Sequence, residues 1–256
     1  MSIKVHLLVT ALNGRLNEAS VLVFRTLRIG FPTLPVTVWG NRLNRDAEEK
    51  VFALAAQSGA CWLPMAQELG HDQWIAKLLL ESPSPFWLCD GDMIFRDNVE
   101  GFARGFLAGR YEPAFHEPWS GTQKVARLHT SLLYVDAPAL RGLFREWMGK
   151  WHPKGFPFLP ETEFVRQHYV PRGAGLSPIF YDTMAGAFQA FGGESFTQVE
   201  NSAFTHLHCG SYVHRMGDAI PGLAKAHDDV ISDAGKALLM DSEQDRFYAM
   251  TEVTYA

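Results

Sequence analysis

Residues 85–98 read PFWLCDGDMIFRDN, an apolar run that passes straight into two carboxylates, Asp90 and Asp92, separated by one glycine. A short apolar stretch bounded by turn residues predicts a buried strand. Its polar end admits two readings. Asp-Gly-Asp is good turn chemistry after a strand. It is also a pair of acids that repel each other unless a cation or a proton stands between them. A hard divalent cation, Mn2+ or Mg2+, resolves that repulsion through one or two carboxylates while keeping positions for phosphate oxygens. Gly91 would let the backbone turn tightly enough for both acids to address one ion.

Upstream of this stretch the chain alternates. IKVHLLVT (3–10) is β-rich, residues 16–29 carry apolar side chains at helical spacing, and PVTVWGN predicts a second strand closing at Gly40 and Asn41. A helix over about 44–58, a short strand near CWLP and a helix over 72–81 follow. This β-α-β-α-β order predicts an α/β fold with a mostly parallel central sheet flanked by helices. In such sheets ligands collect outside the carboxyl ends of the strands, where Asp90 and Asp92 stand.

Downstream, VEGFARGFLAG (99–109) predicts a helix, RLHTSLLYVD a strand, and APALRGLFREWM a helix capped by Asp136 with Pro138 in its first turn. ETEFVRQHY predicts a helix, PRGAGLSP a loop, and the region around AFTHLHCG a strand. The expected division is a main domain over 1–215 and a helical C-terminal extension over 216–256.

Bulk properties narrow the classes. The 256 residues are 47% hydrophobic, enough for a substantial core, and the net charge is -5. Lys and Arg are scattered without a basic run, so the sequence carries no electrostatic footprint for nucleic acid or an anionic membrane. No segment reaches the length of a membrane span, and the chain reads as a soluble, cytoplasmic protein. Cys61, Cys89 and Cys209 lack metal-ligand spacing and form no disulfide framework. The sequence leaves a homo-oligomer open.

The segment HDQWIAKLLLESPSPFWLCDGDMIFRDNVEGF resembles the core block of the GT-A glycosyltransferases, most closely the family 8, glycogenin-like group. There a basic residue on a helix precedes a strand ending in D-x-D, and Lys77 stands at the basic position. RLHTSLLYVD is similar to the strand carrying that family's Asn-Ser-Gly step, with His129, Thr130 and Ser131 in its place. FPFLPETEFV is similar to its Asp-Gln-Asp segment, with Glu161, Thr162 and Glu163 there, and AFTHLHCGSY is similar to the closing His-x-x-Gly strand. His206 and His208 stand four and two residues before Gly210, so the spacing of that last motif differs, and the Lys-Pro-Trp that follows it in the family is absent.

The resemblance implies transfer of a sugar from a nucleotide-diphosphate donor, of UDP-sugar type, to a hydroxyl acceptor with retention. Asp90 and Asp92 would hold Mn2+ or Mg2+ together with a histidine. His206 and His208 alternate along a strand and share a face, and the one nearer the strand's carboxyl end, His208, is the favoured ligand with His206 as its neighbour. Lys77 would reach a phosphate, or be a solvated helix lysine. Thr10, Asn13 and Asn41 end the first two strands, where nucleobase and ribose would sit. Glu161 and Glu163 favour a helix dipole or, with Asp182, are candidates for the carboxylate base that an inverting enzyme would need at the acceptor. Asp182 is an acceptor-side carboxylate or a helix cap. Two other classes stay open. A sugar-phosphate nucleotidyltransferase would show an N-terminal glycine-rich loop, and ALNGRLNEAS is poor in glycine. A non-catalytic nucleotide-sugar binding module would keep the fold without turnover.

Overall fold

The computed structural model describes residues 2–14, 18–66, 69, 71–116, 124–144, 170–172, 175–177 and 196–206. Strand β1 (Lys4–Gly14) alternates as the pleat requires: Val5, Leu7 and Val9 join one hydrophobic cluster while Leu8 joins another. Both faces are therefore buried, the condition of a sheet covered by helices on each side. Helices α1 (Glu18–Gly30) and α2 (Arg45–Gln57) cover the first face through Val23, Phe24, Leu27, Val51 and Ala55. Helices α3 (His71–Glu81) and α4 (Ala137–Phe144) cover the second through Trp74, Ile75, Leu78, Leu79 and Leu140. Two caps fix helix starts: Asp136, as the sequence predicts, accepts from the Ala139 amide at 3.1 Å, and Asn44 accepts from the Ala47 amide at 2.9 Å.

The remaining strands are β2 (Val36–Leu43), β3 (Cys61–Pro64), β4 (Phe86–Asp90), β5 (Met93–Phe95), β6 (Leu107–His116), β7 (Lys124–Val135), β8 (Val170–Arg172), β9 (Gly175–Ser177), β10 (Phe196–Gln198) and β11 (Phe204–His206). Seven of them form the central sheet in the order β10-β6-β7-β4-β1-β2-β3. β3, β2, β1 and β4 run parallel, β7 runs against β4 and β6, and β10 is parallel to β6. The chain is an α/β protein with a mostly parallel sheet. From β1 the chain builds outward through β2 and β3 on one side, then returns to lay β4 on the other. The order thus reverses between β1 and β4, the crevice where open sheets bind ligands.

Outside the sheet, β5 and β11 pair as an antiparallel ribbon, with His206 opposite Met93. α1 anchors this ribbon: the buried Thr26 hydroxyl accepts from the Phe95 amide at 3.1 Å and donates to the Leu22 carbonyl at 3.1 Å. The Arg96 amide also donates to the Ala203 carbonyl at 2.8 Å, closing the end of the ribbon.

Two local expectations are corrected. Residues 99–109 form a single 3-10 turn, Glu100–Phe102, and then enter β6 at Leu107, because Gly105 turns at φ 65 and breaks the helical pattern. Within PRGAGLSP (171–178), read as a loop, Pro171 and Arg172 pair with Leu176 and Gly175 in the antiparallel pair β8 and β9. The predicted helix at ETEFVRQHY and the extension over 216–256 lie outside the described residues. Among the described residues no helix is long and apolar enough to cross a membrane.

Candidate metal and donor site

Four side chains of β4, from Phe86 through Cys89, are fully buried, and the strand then delivers Asp90, half-buried, to the sheet's carboxyl edge. Asp90 lies opposite Leu8 of β1, so the acid sits at the point where the strand order reverses. Gly91 is not among the residues with positive φ. Its requirement is close approach: a Cβ there would lie 3.1 Å from the Leu8 carbonyl oxygen and 3.4 Å from the Val9 Cα. The glycine lets the loop lie flat on the end of β1, and this places Asp92, 7% exposed, directly ahead of β5.

The ribbon supplies the third group. His206, at the end of β11, places Nε2 3.3 Å from Asp92 Oδ1. One ligand atom from each of Asp90, Asp92 and His206 lies within 4.8 Å of the others. Two carboxylates and an imidazole converging from two elements are a donor set for a divalent ion, with the oxygens suiting Mg2+ or Mn2+ and the ring nitrogen favouring the transition metal. The acids' field also reaches Cys89, whose thiol is pushed well up by burial first and then by Asp90 and Asp92. It stays a protonated apolar side chain rather than a ligand.

His206 is held on three sides. Arg110 of β6 meets its Nδ1 at 2.9 Å. His129 of β7 packs against the ring with centroids 4.9 Å apart at 54°. Arg110 and His129 are register partners across β6 and β7, so their side chains rise from the same face toward His206. His129 is itself fixed, its Nδ1 accepting the Ser131 amide at 3.0 Å and lying 2.8 Å from the Ser131 hydroxyl. A guanidinium can only donate, so His206 Nδ1 accepts, and the ring's proton lies on Nε2, facing Asp92.

The other sequence candidates fall as follows. Asn41 is 3% exposed and spends its amide on one backbone residue, donating to the Leu69 carbonyl at 2.9 Å and accepting the Leu69 amide at 3.3 Å. It fixes the chain entering α3. Thr10 is half-buried opposite Asn41, and Asn13 lies on the continuation of β1 beyond it. Lys77 is an exposed helix lysine whose Nζ stands 2.8 Å from Glu81 Oε1. His208, Glu161, Glu163 and Asp182 lie outside the described residues. Arg110 follows directly on the segment 99–109 that reads as helix and is missing from the sequence candidates. The signal that exposes it is the glycine-punctuated run GFLAGRYEPAF, whose glycines break a helix and allow a strand.

No protein-family model and no curated protein matches the chain. Similar solved structures include the mannosyltransferase PcManGT from Pyrobaculum calidifontis in complex with GDP-Man and Mn2+, at 13% identity and TM-score 0.38, covering 56% of this chain and 47% of that one. The galactosyltransferase LgtC with donor and acceptor sugar analogs is similar at 11% identity and TM-score 0.45, over 77% of this chain and 73% of that one. A putative glucose-1-phosphate thymidylyltransferase from Bacillus anthracis is similar at 10% identity and TM-score 0.46, over 85% and 94%. The chain thus spans about half the length of the mannosyltransferase. None of these likenesses is strong enough to carry a function.

Proposed function

We propose that the chain is a metal-dependent glycosyltransferase that moves a sugar from a nucleotide-diphosphate donor, of UDP-sugar type, to a hydroxyl acceptor with retention. The observation that carries this reading is the group Asp90, Asp92 and His206, gathered at the carboxyl end of β4 where the strand order reverses. The three residues hold Mn2+ in preference to Mg2+ because one of the three donors is an imidazole. Bound there, the ion supplies Lewis-acid neutralisation of the charge that develops on the leaving diphosphate.

The chain's own residues do the remaining work. Asp90 and Asp92 fix the position of the diphosphate's counter-charge, and His129, packed against the His206 ring, limits its rotation. Thr10 and Asn13 receive the nucleoside at the end of β1, while Asn41 acts on it through the Leu69 segment it holds. Lys77, released from Glu81, adds a point charge to a phosphate. Glu161, Glu163 and Asp182 serve the acceptor side, and His208 is a reserve ligand to His206.

The test is a thermal-shift screen of UDP, GDP and their sugar conjugates with and without Mn2+, followed by release of free nucleotide from the donor that binds. Stabilisation should require metal and nucleotide together. Asp92→Ala should abolish turnover while keeping the far-ultraviolet circular dichroism of the parent. An active Asp92→Ala protein overturns the metal reading. Formation of a nucleotide sugar from a nucleoside triphosphate and a sugar phosphate would assign nucleotidyl transfer instead.

A further inference from the structure

The hydrogen bond between Arg110 and His206 opposes metal binding through Nε2. Nε2 is the ring nitrogen beside Asp92, so it is the atom positioned to coordinate. Coordination needs a lone pair there and moves the ring proton to Nδ1. Nδ1 would then present an N–H to a guanidinium that has only N–H groups to offer, 2.9 Å away. Two donors facing each other repel, and a fixed positive charge that close to a divalent ion adds to the cost. Arg110 therefore has to leave Nδ1 when the ion binds. What it needs in exchange is an anion, and a diphosphate bound to the same ion is the anion the site would bring within reach.

We propose that Arg110 is a second cationic contact for the donor's diphosphate, exchanging its hydrogen bond with His206 Nδ1 for the phosphates when metal and nucleotide bind. This rests on the metal and donor reading of the site given above. It makes metal and nucleotide binding mutually dependent, since the arginine opposes the ion alone and favours the ion with its diphosphate. By linkage each ligand then raises the affinity for the other by the same factor. Arginine suits this role because its planar fork bonds phosphate oxygens bidentately.

The experiment compares the parent with Arg110→Gln and Arg110→Lys, each first matched to the parent by circular dichroism and melting. Mn2+ affinity is measured without nucleotide from the electron paramagnetic resonance signal of the free ion. Glutamine can offer its amide oxygen to an Nδ1–H, so Arg110→Gln should bind Mn2+ about tenfold more tightly than the parent. Lysine only donates, and Arg110→Lys should stay near the parent value. In a second arm, UDP and GDP are titrated calorimetrically at saturating Mn2+, with uridine and guanosine as controls. Arg110→Gln should weaken the diphosphate that the parent binds by about tenfold and leave its nucleoside unchanged, with partial rescue in Arg110→Lys.

A merely structural role for Arg110 predicts the opposite sign in the first arm, because loosening His206 lowers metal affinity. Unchanged or weaker Mn2+ binding by Arg110→Gln overturns the proposal while leaving the metal site standing. Equal loss of nucleotide and nucleoside overturns the phosphate contact. If the parent itself takes up no Mn2+, the metal reading and this proposal fall together. If Arg110→Gln does not fold, Arg110→Met replaces it, with tighter Mn2+ binding again expected, since methionine removes the opposing donors and the charge.

Discussion

His6 shows how a single polar side chain is tolerated inside this sheet. It points into the second face of β1, where its Nδ1 accepts the Trp39 indole N–H at 3.0 Å and its ring meets Phe86 edge-on. Burial, and secondarily the charge of Lys4, lowers its pKa from 6.5 to about 4. In the folded chain it therefore stays neutral down to about pH 4, whereas the unfolded chain takes up a proton near 6.5. The unfolded state binds the extra proton between those values, so the contribution is whole above pH 6.5 and declines as pH falls toward 4. The full loss is roughly 3 kcal/mol from the size of the shift. Urea denaturation of the parent and His6→Gln across this window should show a shallower pH slope in the variant, which keeps an acceptor for Trp39 without a titrating ring. None of this was legible in IKVHLLVT, where His6 reads as one polar residue in a strand. The Asp-Gly-Asp pair was legible, because two acids at the end of an apolar run conflict locally and the conflict has few resolutions.

At the scale of elements, the first half of the chain follows its local pattern closely. α1, α2 and α3 and the strands β1 to β4 lie where periodicity, caps and turn residues predict them. Beyond Asp92 β7 and α4 also lie where the sequence predicts them, and the departures fall at β5 and β6, where geometry is set by distant partners. β5 has three residues and is a strand only because β11 pairs with it. The start of β6, Leu107–Gly109, falls at the end of the stretch read as helix, yet the strand's backbone pairs with β7 on one side and β10 on the other. The register between β6 and β7 shifts between Gly109 and Arg110, at the step that turns Arg110 toward His206. Gly109 has no room for a side chain, since a Cβ there would collide with the Leu132 carbonyl oxygen. Gly109→Ala should force β6 off β7 and cost about 3 kcal/mol, measured by denaturant unfolding. It should also weaken UDP or GDP binding at saturating Mn2+ relative to a core variant of equal stability loss, because the displaced strand carries the arginine proposed to reach the diphosphate.

For the whole molecule, the site and the sheet make opposite demands on stability. Two acids share one crevice beside a core of buried apolar strands, and their mutual repulsion is the cost of the metal site proposed for them. Asp92→Asn removes one charge and keeps an oxygen that can accept from His206 Nε2. Without metal, this variant should be more stable than the parent by about 1 kcal/mol, a rise of roughly 2–4 °C in melting temperature. With Mn2+ the order should reverse, because the parent gains from ligand binding and the variant does not. A calorimetric scan of both proteins with and without the ion checks the crossing.

The ribbon of β5 and β11 also has a consequence in time. Asp90 and Asp92 leave the ribosome well before His206, and Arg110 and His206 are themselves 96 residues apart. At ordinary elongation rates that interval is on the order of ten seconds. During it α1, β1 and β4 can already assemble around the acids, while the imidazole that completes the group has yet to be made. If the proposed site takes a metal, its capture is thus a late event in the birth of the molecule. A nascent chain halted before residue 204 should have a sheet edge with two acids and no retained ion.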